Sequence, residues 1–228
     1  MRLAFAFAAL SLASSAIAAP TPFTAVYAVS RDGKVIGESK VTLADKGKGD
    51  WTLTTETHGT AGMARMLGLD VREESQFRWK DGMPEGLHYD YRQDAAIKHK
   101  QRHTDFDWSA GQARVKDNDK DFDYPVQAGT VDRHLVSLSI GEALAAGKKE
   151  AQIAVAVKDH VEQQQYRNDA EEEVKVPAGS YKTVRVERID SPGKIRSWYT
   201  PGKLPVPVKM EQTQGDKSVI VLELKSAS

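Results

Sequence analysis

The sequence predicts an all-β, mainly antiparallel protein: a curved sheet or half-open β-barrel with one helix near residues 132–146. Three observations carry that expectation. Apolar residues recur at every second position through most of the chain, the period of a half-buried strand. Clusters of turn residues punctuate those stretches at intervals of roughly ten residues, as in meanders closed into barrels or sandwiches. Only Asp132–Ala146 carries apolar residues at helical spacing.

Taken in order, the chain begins with a leader. Arg2 supplies a positive charge, Leu3 to Leu12 forms an apolar run, and Ala16-Ile17-Ala18 is a small-residue cleavage site. The run is too short to span a bilayer, so residues 1–18 read as a signal peptide cut between Ala18 and Ala19. One domain is expected over residues 19–228, with no linker and no repeat dividing it.

In Val35–Leu43, Val35, Val41 and Leu43 share one face and Glu38, Lys40 and Thr42 the other; Trp51, Leu53, Thr55 and Thr57 alternate likewise with polar neighbours. Met63-Ala64-Arg65-Met66-Leu67-Gly68-Leu69 joins two strands yet is mostly apolar. It reads either as a buried plug at one end of the barrel or as a Met-rich contact for a partner or an acyl chain, through Met63, Met66, Leu67 and Leu69. Tyr89 and Tyr91 share a strand face, with Phe77 and Trp79 on the neighbouring strand. Together with Trp51 these aromatics either pack the core or line a ligand cavity.

The long middle strands are unusual. Ile97–Asp107 alternates His99, Gln101, His103 and Asp105 with Lys98, Lys100, Arg102 and Thr104, and Val161–Asp169 is similarly polar on both faces. Burying such faces unpaired costs several kcal/mol per charge, so neither side is expected to be dry for much of its length. Solvated hairpin ends and a polar-walled cavity both satisfy that constraint. The helical segment has Asp132 as a cap, Gly147 as a stop, and a stripe of Leu135, Val136, Leu138, Ile140, Ala143 and Leu144. Gly141 within it costs about 1 kcal/mol relative to Ala, so the helix relies on packing. Glu171-Glu172-Glu173 reads as a solvated turn, and Pro205 and Pro207 as marking an edge strand or rim.

Composition excludes several classes of function. The 32 basic and 32 acidic side chains leave no field to gather nucleic acid or an anionic membrane. Zero cysteines remove disulfides, thiolate nucleophiles, Cys-ligated metals and the lipobox of a lipoprotein. An exported, cysteine-free chain without a second long apolar run fits the periplasm, free rather than lipid-anchored.

The chain has no G-x-S-x-G elbow, P-loop, H-E-x-x-H or G-x-G-x-x-G. That points away from an enzyme, although a catalytic group assembled from separate strands stays open. His99 and His103 lie about 13 Å apart along a strand, too far for one ion. Asp117-Asn118-Asp119-Lys120-Asp121 starts like a calcium loop but has Phe122 in place of the glycine and Ala128 in place of the bidentate glutamate. No metal and no cofactor are therefore expected.

Several phrases together resemble one family. They are Val26-Tyr27 with Asp32-Gly33 and Ile36-Gly37, Asp81-Gly82 with Pro84 to Tyr91, and Val176-Pro177-Ala178-Gly179-Ser180-Tyr181-Lys182-Thr183 running into Val186-Glu187-Arg188. Trp198 with Pro201, Pro205 and Pro207-Val208-Lys209 completes the set. Over nearly the whole chain beyond the leader, it resembles the bacterial exported family named domain of unknown function 3108. The resemblance implies a periplasmic β-rich protein with no established activity, and it carries over no catalytic or ligand residue. The expected function is non-enzymatic binding of an amphiphilic or polar envelope component, such as a lipid or lipid-linked glycan, in the sheet concavity. The alternatives are a scaffold holding another envelope protein and a hydrolase whose acid and base converge from separate strands.

Overall fold

Period-two alternation produces fifteen strands among the described residues, and all of them join one sheet. The computed structural model describes residues 21–96, 98–191, 195–215 and 217–228. The leader, Ile97 and the Pro192-Gly193 half of one expected turn lie outside them. The N-terminal arm is an unbroken meander: β1 (Phe23–Arg31), β2 (Lys34–Gly47), β3 (Asp50–Gly59), the short helix α1 (Gly62–Met66), β4 (Asp70–Lys80), β5 (Met83–Ala95), β6 (Lys98–Asp107), β7 (Gln112–Asp117) and β8 (Lys120–Pro125). A two-residue strand β9 (Val131–Asp132) and helix α2 (Val136–Ala145) follow. The C-terminal arm is β10 (Glu150–Ala156), β11 (Val161–Val176), β12 (Gly179–Arg188), β13 (Ile195–Thr200), β14 (Leu204–Thr213) and β15 (Val219–Ala227).

The spatial order is β8-β7-β6-β5-β4-β3-β2-β1-β15-β14-β13-β12-β11-β10-β9. Every neighbouring pair is antiparallel except β9 with β10. The hairpin at Asp32-Gly33 and that at Asp81-Gly82 place both residues at positive φ, the twist that two-residue hairpins require. The sheet curls until β9 lies against β5, although no ladder joins its two ends. Side chains make the seam instead. Ser75 of β4 reaches Asp132 of β9, and the Tyr124 hydroxyl of β8 donates to the Val157 carbonyl after β10 at 2.7 Å.

Inward residues of both arms and α2 form the main core, with Leu43, Leu53, Phe77, Leu135, Leu138, Val155, Tyr199, Val208 and Leu224 almost fully buried. A smaller core of Phe106, Val115, Tyr124 and Val126 fills the β6–β8 end. Helix α2 seats on β14, flanked by β10 and β5.

Several expectations change. The helix begins at Val136 rather than Asp132, because Asp132 is spent on β9 and its carboxylate caps the turn that follows. Val35 faces solvent: the β1–β2 register shifts between Val29 and Ser30, which flips the start of β2 to the other face. Glu171–Glu173 is part of β11, not a turn, and Glu172 accepts a hydrogen bond from Trp198 Nε1 at 2.9 Å. β14 is an interior strand, and its prolines fit because ladder pairing with β15 begins only at Lys209. The polar β6 strand does bury one face: Thr104 and Phe106 point inward, and Arg102 is tucked in against Asp117 at 3.1 Å. Ion pairing supplies what burial alone would forbid. The segment around Met63 forms α1, a second helix that buries no side chain, instead of a plug.

Candidate functional site

The curl leaves a cavity of about 550 Å³ between the two arms. Strand alternation decides its lining. Tyr27, Leu53, Val206 and Leu222 point inward from β1, β3, β14 and β15, and Val136 and Ile140 come from α2. These residues make an apolar floor. Polar side chains form much of the rest, among them Thr55 and Thr57 of β3, Glu73 of β4, Arg133, His134, Gln164 of β11 and Arg188 of β12. An apolar interior with a few convergent polar groups is the usual composition of a small-molecule site.

The cations on this wall are paired. Arg133 meets Glu73 at 3.2 Å, donates from Nε to the Tyr89 hydroxyl at 2.6 Å and lies over the Tyr91 ring at 4.4 Å. The Tyr89 hydroxyl in turn donates to Glu73 at 2.8 Å. Burial alone would raise the Glu73 pKa, but Arg133 and the Tyr89 hydroxyl outweigh it and hold the carboxyl below its usual range. Arg188 is clamped between Glu162 at 2.7 Å and Asp190 at 2.6 Å. The wall therefore offers hydrogen bonds and fixed dipoles more than net charge.

From the wall a polar chain runs inward, starting at the half-buried Thr55 and His134, which themselves line the cavity. Thr55 Oγ1 meets His134 Nε2 at 2.8 Å, His134 Nδ1 meets Ser75 Oγ at 3.0 Å, and Ser75 donates to Asp132 Oδ1 at 2.9 Å. With the Ser75 proton committed to Asp132, His134 must carry its own proton on Nδ1 and accept from Thr55. Burial pushes the His134 pKa down, which matches a neutral ring. Asp132 Oδ1 also accepts from the backbone N–H groups of His134 and Leu135 at 2.9 and 3.0 Å. Burial outweighs those bonds and pushes the Asp132 carboxyl up to about 7.

Serine, histidine and aspartate thus meet, with the histidine pushed down and the aspartate pushed up, as a cryptic hydrolase would need. The wiring is different from catalytic wiring. Asp132 holds the serine rather than orienting the imidazole, and Ser75 is wholly buried, so no substrate carbonyl can approach its Oγ. The chain stitches β3 and β4 to β9.

The aromatics expected at a cavity sit elsewhere. Trp51, Phe77 and Tyr89 are core residues, Trp79 packs against that core, and none of these or Tyr91 lines the cavity. Tyr89 lies opposite Ser75 and Tyr91 opposite Glu73, while Phe77 faces Gly86 and Trp79 faces Pro84. Tyr89 and Tyr91 instead brace Arg133. On α1, Met63 and Met66 are exposed, with Leu67 and Leu69 half-buried beside them. The residues missed from sequence are Glu73, Ser75, Arg133, His134, Gln164 and Arg188. Glu73 and Ser75 were visible as polar residues in phase with Val71 and Phe77 on one strand face.

Comparison with known proteins agrees with this architecture. A crystal structure of a β-barrel-like protein of domain of unknown function DUF1849 from Brucella abortus superposes with a TM-score of 0.51 at 12% identity, covering 91% of this chain and 97% of that one. At that identity the likeness is one of fold. No curated protein matches the chain. The model of the family described as protein of unknown function (DUF3108) matches residues 23–225, and the chain belongs to that family.

Proposed function

We propose that this protein is an exported, non-enzymatic carrier or sensor that takes the apolar part of an amphiphilic envelope component into its concavity. One observation carries the reading: the cavity of about 550 Å³ joins an apolar floor to a wall of Thr55, Thr57, Glu73, Arg133, Gln164 and Arg188. A pocket in the 300–1,000 Å³ class (about) suits a small amphiphile, and paired cations suit a polar or zwitterionic head better than a polyanion. The signal-like leader supports periplasmic delivery and a mature chain starting at Ala19.

Native mass spectrometry of the protein purified from an envelope fraction tests this directly. The expected spectrum has the mass of a chain starting at Ala19 plus one discrete adduct, which is lost on denaturation. Thr57→Trp, which fills the cavity from β3, is expected to fold with an unchanged circular dichroism spectrum and to lose the adduct. A bare mass for the unsubstituted protein, at a sensitivity of a few per cent occupancy, would count against a tightly held ligand.

A second reading, as a scaffold for another envelope protein, rests on α1. Met63 and Met66 are 63% and 70% exposed, and the helix is anchored through its backbone: Gly59 N–H donates to Leu69 O, and Ala96 N–H to Leu67 O, both at 2.8 Å. An exposed, adaptable Met pair on a fixed loop has the make-up of a contact surface. The Met63→Ser, Met66→Ser double variant should change unfolding free energy by no more than about 0.5 kcal/mol. Under the scaffold reading it also abolishes co-purification of a crosslinked partner. Partner capture that survives both substitutions would dismiss this surface.

A further inference from the structure

The convex face carries an arrangement that the spacing along one strand conceals. Cross-strand register places His88 of β5 opposite Asp105 of β6, and Asp90 opposite His103. The two imidazoles stack with centroids 6.5 Å apart. Asp105 bridges them: Oδ1 lies 2.5 Å from His88 Nδ1, and Oδ2 lies 3.0 Å from His103 Nε2. On its other side His103 places Nδ1 2.7 Å from Asp90 Oδ1.

Both nitrogens of His103 therefore face carboxylate oxygens. A neutral imidazole owns one N–H, so one of the two contacts would set lone pair against lone pair. Two things resolve that conflict: a second proton, or a cation between Nε2 and Asp105. The second solution leaves the ring proton on Nδ1, held by Asp90, which is the carboxylate–histidine–metal wiring that orients ligands in metalloproteins.

We propose that His88 Nδ1, His103 Nε2 and the Asp105 carboxylate form a divalent transition-metal site of the zinc class, with Asp90 as its orienting group. These ligand atoms lie within 4.8 Å of one another. A tetrahedral ion with bonds of about 2.1 Å needs ligand separations of about 3.4 Å, so the two His–Asp105 contacts would open slightly to admit it, an adjustment that side-chain rotation can supply at the surface. Side-chain exposures of 48%, 45% and 43% for His88, His103 and Asp105 leave that freedom and leave room for a water as fourth ligand. Two imidazoles and a carboxylate match zinc, copper(II) or nickel(II) rather than calcium or magnesium.

The neighbourhood is mixed. Glu74 and Gln76 of β4 lie opposite Asp90 and His88, while Lys116 and Arg114 of β7 lie opposite His103 and Asp105. Arg114 also leans toward Asp107, at 3.4 Å. The bound ion would clip β5 to β6, and this site is independent of the cavity.

Isothermal titration of the untagged protein with zinc chloride is the test, supported by visible spectra after cobalt(II) loading. The expected result is one saturable ion per chain, with tetrahedral cobalt bands. His88→Gln and His103→Gln should each weaken binding by at least tenfold, and Asp90→Asn by about tenfold through loss of orientation. His99→Gln, whose ring pairs with Asp94 nearby, should leave the titration unchanged. Absence of saturable binding, or one-to-one binding that persists in His103→Gln, would overturn the assignment. Equal losses in His99→Gln and His103→Gln would do the same, because they would mark diffuse surface binding.

Discussion

Gly141→Ala is expected to destabilise the protein by about 3 kcal/mol, where helix propensity alone would predict a gain of about 1 kcal/mol. The reversal comes from packing. A Cβ at Gly141 would lie 2.0 Å from the Pro205 carbonyl oxygen, 2.6 Å from its carbonyl carbon and 2.9 Å from its Cα. These are backbone atoms of β14 and cannot rotate away. The helix would have to lift from β14, loosening its packing with Val206 and Val208. It would also strain the hydrogen bond from Tyr27 to the Pro207 carbonyl, 2.9 Å long. Urea unfolding reads the effect as a lower midpoint at similar slope. A midpoint at or above that of the unsubstituted protein would mean that α2 does not sit directly on the proline strand.

The second large effect concerns Asp132 and depends on pH. Burial lifts its carboxyl to about 7, against about 3.9 in an unfolded chain. A raised acid binds its proton more tightly when folded. Its stabilising contribution is therefore complete below about pH 4 and lost as pH rises through about 7. His134 works the other way. Its pKa is pushed down, so its contribution is present above about 6.5 and lost as pH falls through the lowered value. The two slopes oppose each other in mildly acidic solution.

Asp132→Asn keeps an oxygen acceptor for Ser75, His134 N–H and Leu135 N–H and removes the titration. Its amide nitrogen would take the place of Oδ2, which has no partner, and that sets a pH-independent cost of about 1–3 kcal/mol. On top of that offset, stability relative to the unsubstituted protein should rise by about 3 kcal/mol between pH 4.5 and pH 8. Denaturation at the two pH values measures it; parallel profiles would show that Asp132 is ionised normally in the fold. Asp132→Ala should cost about 3 kcal/mol or more at pH 5, because it strands three donors at once.

Much of this fold was legible in the sequence, and the exceptions share a cause. Strands whose apolar residues alternate, such as Phe23–Arg31 and Asp50–Gly59, declare themselves, as do the Asp-Gly turns. Glu171–Glu173 misleads because a strand exposed on one face tolerates any charge there; only its pairing with β12 reveals it. Pro205 misleads because the rule against proline applies to paired residues, and the part of β14 that bears it is covered by a helix instead. Val35 turns outward through a one-residue register shift, which alternation within a single strand does not encode.

The site was less legible for the same reason. Aromatic size draws attention to Trp51, Phe77 and Tyr89, yet size alone cannot separate a core wall from a cavity wall. The polar wall depends on β4 meeting the turn before α2, some sixty residues later in the chain: Glu73 finds Arg133, and Ser75 finds Asp132. Likewise His103 finds its partner imidazole across the hairpin rather than four residues away.

The central position of β15 has a consequence for how the molecule is made. That strand, Val219–Ala227, lies between β1 and β14 and, among the described residues, is the strand that joins the two arms into one sheet. Until it has left the ribosome, β1 and β14 each present an open edge that nothing earlier in the chain covers. Completion of the sheet therefore waits for β15, and such long-range pairing is slow. A chain in which β15 has not yet docked is therefore two separate meanders whose inner edges stay open to other strands.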